Sequence, residues 1–75
     1  MNEHLQDLKG KLIASDPEFQ DLANRHHELE GRLDELTARH YLSEPEQLEE
    51  VTLKKRKLLI KDRMEDIMRR HLQAH

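Results

Sequence analysis

An all-α fold, an antiparallel coiled-coil-like helical hairpin with a short additional N-terminal helix, is what this 75-residue sequence predicts. Three observations carry the expectation: an apolar repeat of alternating three- and four-residue steps, two near-identical helix-start signals, and acid–base pairs four residues apart in each segment. The repeat matters most. Charged residues make up 39% and apolar ones 35%, with one Phe, one Tyr and no Trp. Without periodicity, such a chain approaches those that cannot offset their ordering entropy. With it, long helices or a coiled coil are the expected outcome.

The first segment, about residues 2–14, places Met1, Leu5, Leu8 and Leu12 on one row. The second begins at Ser15-Asp16-Pro17-Glu18 and the third at Ser43-Glu44-Pro45-Glu46, the same order of Ser, acid, Pro and Glu. In each, the Ser is expected to cap while the Glu three residues later returns a bond to the Ser backbone N–H. The Pro sits where a first-turn N–H has no partner anyway. The second helix is expected over 17–40, where Phe19, Leu22, His26, Leu29, Leu33, Leu36 and His40 follow steps of three and four. That is a heptad seam containing two His.

The third helix is expected over 46–73, and its apolar residues do not form one stripe. Leu53, Ile60, Met64 and Ile67 make one cluster, Val51, Leu58 and Leu72 another, and Leu48 and Leu59 lie beyond it. A helix apolar over so much of its girth must touch more than one neighbour. The short connection Tyr41–Pro45 favours antiparallel packing on the second helix. Folding back there places Leu36 near Val51, Leu29 near Leu58, and Phe19 near Ile67 and Met68. Pairs such as Asp21–Arg25, Glu28–Arg32, Glu35–Arg39, Glu50–Lys54 and Glu65–Arg69 mark wet outer faces. Gly10 and Gly31 mark either a close helix approach or a tolerated surface position.

Composition also limits function. A chain this short forms one domain, residues 1–75, with little core to spare. It has no Cys, so disulfides and thiolate zinc sites are excluded. A net charge of −3 gives no overall pull toward nucleic acid or anionic membrane. No apolar run approaches the ~20 residues that span a bilayer, and Met1-Asn2-Glu3-His4 lacks the basic start of a secretion signal, so a cytoplasmic location is expected. Ser15 and Ser43 are accounted for as caps, and two isolated Gly cannot cradle a phosphate. No catalysis and no cofactor are expected.

Six His suggest a metal, yet there is no His-Glu-x-x-His and only His71 and His75 stand four residues apart, so no metal site is expected. His26 and His40 suggest a pH-sensitive seam instead. An imidazole held neutral among apolar side chains would lose stability below ~6.5, and a neighbouring Glu would reverse that sign. Lys54, Lys55, Arg56 and Lys57, with Lys61 and Arg63, suggest a basic face. Four consecutive residues fan around a helix, however, and Glu49, Glu50, Asp62 and Glu65 interrupt the field.

Asp16-Pro17-Glu18-Phe19, then His26-His27-Glu28-Leu29, then Leu53 through Asp62 (LKKRKLLIKD) together resemble the YdcH-like family of small bacterial proteins of unknown function, over roughly residues 5–70. The resemblance implies a short helical cytoplasmic protein and brings no activity, cofactor or catalytic residue. The expected role is structural: self-association or helix–helix docking on a protein partner through Leu48, Leu53, Leu59, Ile60, Met64 and Ile67. The alternative is a nucleic-acid-associated accessory protein using Lys54, Lys55, Lys57, Lys61 and Arg63.

Overall fold

A computed structural model describes residues 2–73, with side chains from residue 6 onward. Helix α1 runs Asn2–Ser15, α2 Pro17–Thr37 and α3 Glu44–Gln73. Together they make a rod of 48 × 21 × 19 Å in which α2 and α3 form the expected hairpin and α1 folds against it. Of the predicted row in the first segment, Met1 and the side chain of Leu5 lie outside the described residues, while Leu8 and Leu12 pack inward.

The two start signals behave differently. At the third helix the expected reciprocal cap is present: Ser43 Oγ accepts from the Glu46 N–H at 3.3 Å, and Glu46 Oε1 accepts from the Ser43 N–H at 3.1 Å. At the second helix the cap is Asp16, not Ser15. Asp16 is extended (φ −112°, ψ 109°), as a residue before Pro prefers, and its Oδ1 accepts from the Phe19 N–H at 3.1 Å. Ser15 is the last residue of α1, and its hydroxyl donates back to the Lys11 carbonyl. An Asp adjoining the Pro outcompetes the Ser before it, since it alone occupies the position from which a side chain reaches the first-turn N–H groups.

Two clusters make the core among the described residues. Leu12, Phe19, Met64 and Ile67 form the one at the α1 end, with Leu8, Leu22, Ala23, Ile60 and Met68 against it. Leu33, Leu36 and Leu53 form the other near the connection, joined by Leu29 and Leu42. Phe19 does meet Ile67 and Met68, whereas Leu36 meets Leu53 rather than Val51, and Leu58 points to solvent. Between the clusters lies a partly wet layer. Lys57 Nζ stands 3.9 Å from Glu30 Oε1, and His26 Nε2 is 3.6 Å from the same oxygen.

Helix α2 stops at Thr37, short of the expected His40. Leu42 explains the early end: it turns back to pack on the Leu33–Leu36–Leu53 cluster, which requires the chain to leave the helix axis first. The connection is then clipped by an Arg39–Glu46 ion pair and by Gln47 Nε2 donating to the Leu42 carbonyl. His40 is therefore exposed in the connection and no part of a seam. Neither Gly10 nor Gly31 marks a close approach, because a Cβ at either would meet open space.

Candidate interaction surface

Helix α3 carries two ladders of the same step pattern on opposite sides. One runs Leu53, Lys57, Ile60, Met64 and Ile67 and faces α2. The other runs Leu48, Val51, Lys55, Leu58 and Asp62, with Leu59 beside it, and faces away from the core. At 100° per residue the two are about half a turn apart. Leu48 is 68% exposed and Leu59 69%; Val51, Leu58 and Leu72 are also open to solvent, as is Tyr41 in the connection.

This division corrects the expected binding face. Of its six residues, Leu53, Met64 and Ile67 are buried in the core and Ile60 packs against it, leaving only Leu48 and Leu59 at the surface. The surplus apolar surface exists, but Val51 and Leu58 belong to it in their place. The signal that separates the two sets was in the sequence: 48, 51, 55 and 58 follow the same three-four steps as the seam of α2, with Lys55 as the single interruption.

The basic residues scatter around α3. Lys54 Nζ lies 3.4 Å from Glu50, Lys57 pairs with Glu30, and Arg63 bonds Glu18 across the hairpin at 3.2 Å as well as Asp66 at 3.3 Å. Lys55 and Lys61 have no such pairing among the described residues. The five positions thus do not converge on one groove, and three are matched by carboxylates. The described residues contain no group of three or more His, Cys, Asp or Glu arranged to hold a metal ion. His26 lies beside Glu30, so its ring does not sit in the purely apolar surroundings that the acid-loosening expectation requires.

A two-pronged ion pair clamps α2 to α3. Arg32 Nε donates to Glu49 Oε2 at 2.9 Å and Nη2 to Oε1 at 2.8 Å, while Nη1 reaches Glu35 at 3.0 Å. The two-pronged bond from Arg32 holds the Glu49 carboxyl below its ordinary 4.5, and the charges of Arg32 and Arg39 add to it. Arg32 is correspondingly pushed up, chiefly by its bonds to Glu49 and Glu35. A depressed carboxyl stabilises the fold above its unfolded value and loses that contribution as pH falls through the folded one. The expected result is that Glu49→Gln lowers the melting temperature at pH 7 and that the gap from wild type closes toward pH 3. An equal gap at both values in thermal melts followed by circular dichroism contradicts this.

Comparison with known proteins matches a family model described as "Protein of unknown function (DUF465)" over residues 19–68. The chain belongs to the DUF465 family. The DUF465 match begins at Phe19 and ends at Met68, so it spans the hairpin and its outer α3 face and leaves α1 outside. It is consistent with the resemblance noted from the sequence. Neither the curated proteins nor the solved structures contain a match. Among the described residues no helix of this DUF465 chain is long and apolar enough to cross a membrane.

Proposed function

We propose that this chain is a non-catalytic interaction protein, a helical hairpin that docks on a helical protein surface through the outer face of α3. One observation carries the reading: Leu48, Val51, Leu58 and Leu59 stand exposed at helix-pairing intervals on the side opposite the core. An amphipathic face of this spacing fits the groove between side chains of another helix. Leaving it in water forgoes burial worth about 25 cal/mol per Å². A nucleic-acid role has less support, because Lys54, Lys57 and Arg63 already have acidic partners.

The test is the variant L48S/L58S/L59S. It is expected to keep the wild-type helical spectrum and melting temperature at dilute concentration, and to lose association, whether with itself by light scattering or with a cellular protein by affinity capture. A wild-type chain that associates with nothing, or a variant that associates as well as wild type, overturns the reading. A mobility shift with DNA or RNA at low salt, steeply weakened as salt rises, would favour the accessory role instead.

A further inference from the structure

The outer ladder of α3 holds two charged residues of opposite sign, Lys55 and Asp62, seven residues apart with Leu58 and Leu59 between them. Both are exposed, and neither is ion-paired among the described residues, although Lys54, Lys57, Arg63 and Asp66 around them are. Resting on the docking reading above, we propose that the occupant of this face is a second copy of the same chain. In this pairing two α3 helices lie antiparallel about a two-fold axis between Leu58 and Leu59, and Lys55 of each faces Asp62 of the other.

The register follows from charge and from length, independently. A parallel pairing sets Lys55 against Lys55, as does an antiparallel one centred on that residue. An axis between positions 58 and 59 converts both to attraction and brings Leu58 of one copy against Leu59 of the other. That same axis is the midpoint of α3, Glu44–Gln73, so it is also the register that overlaps the two helices along their whole 30-residue length. Maximum overlap buries the most surface, and a two-fold interface must be complementary to itself. At the ends, Leu48 lies against the aliphatic stem of Arg69 of the second copy, a contact a long basic side chain makes while its head stays wet. The arrangement brings Lys54 near Lys61 of the second copy at one rim, where solvent screens the repulsion.

Sedimentation equilibrium of the full chain across micromolar concentrations tests this. The expected result is a dimer whose dissociation constant rises at least fivefold in Lys55→Glu and in Asp62→Lys, and returns toward wild type in the double variant K55E/D62K. Circular dichroism confirms that each variant keeps its helices. Spin labels on Gln47→Cys should lie about 35 Å apart along the pair, from 1.5 Å of rise per residue, whereas a parallel pair would bring them under about 20 Å. A dimer indifferent to the charge reversals, or a short label distance, overturns the proposed register. A wild-type monomer at every concentration overturns self-pairing altogether. In that case loss of a captured cellular protein by L48S/L58S/L59S would leave the docking reading standing, and no such loss would remove both.

Discussion

Phe19→Ala is expected to abolish the cooperative thermal transition or lower its midpoint by 15 °C or more. Phe19 is fully buried and touches all three helices' contributions to one cluster, Leu12 from α1 and Met64 and Ile67 from α3. Truncating a buried Phe costs about 3–5 kcal/mol, combining lost transfer energy with the cavity left behind. A domain of this size holds only about 3–5 kcal/mol from a single core, and each kcal/mol corresponds to ~4–8 °C in midpoint. The loss therefore approaches the whole margin. Thermal melts at one fixed protein concentration check it, since association would couple stability to concentration. Phe19→Leu, which keeps most of the volume, should retain a cooperative transition. A drop of under about 5 °C for the Ala variant would show that this cluster is not what holds α1 and the hairpin together.

Placing an Asp at two positions six residues apart on α3 is expected to give opposite results. Leu53→Asp drives a carboxylate between Leu33 and Leu36, in a cluster built from Leu side chains. Burying an unpaired charge costs several kcal/mol even after relaxation, so most of the chain should unfold at 25 °C. Leu59→Asp leaves the carboxylate in water at a position already 69% exposed, and its effect on the single chain should stay within about 0.5 kcal/mol. Urea unfolding followed by circular dichroism separates the two. Comparable destabilisation by both would mean that the two faces of α3 have been assigned the wrong way round.

That contrast locates where sequence reasoning reached and where it stopped. The Ser43–Glu46 cap was legible because its partners are local, three residues apart, and local geometry alone decides the bond. At Ser15-Asp16 two capping residues competed, and the short Asp carboxylate took the cap, whereas Glu44, in the same place before Pro45, left it to Ser43. Helix α2 ends three residues before the sequence pattern does, because Leu42 is pulled inward by a cluster that includes Leu53, a residue of another helix. His40 left the seam for the same reason. Val51 and Leu58 lie outside and Leu53 and Met64 inside, the reverse of what the sequence predicts, although every one of them sits on a regular three-four ladder.

From the sequence alone came three helices, an antiparallel turn near Tyr41 and more apolar surface on the last helix than one neighbour can cover. These depend on periodicity and on neighbours within a turn or two of chain. Which ladder of α3 turns inward was decided only by the tertiary structure. The two ladders share one period, so a lone helix is almost equally amphipathic either way. Packing breaks the tie: Leu53, Ile60, Met64 and Ile67 fill the spaces beside Leu36, Leu33, Phe19 and Leu12 with a single Lys among them, and Arg63 reaches Glu18 from that orientation. The outer ladder has two charges, Lys55 and Asp62, where the inner one has a single Lys57 that finds Glu30 on α2.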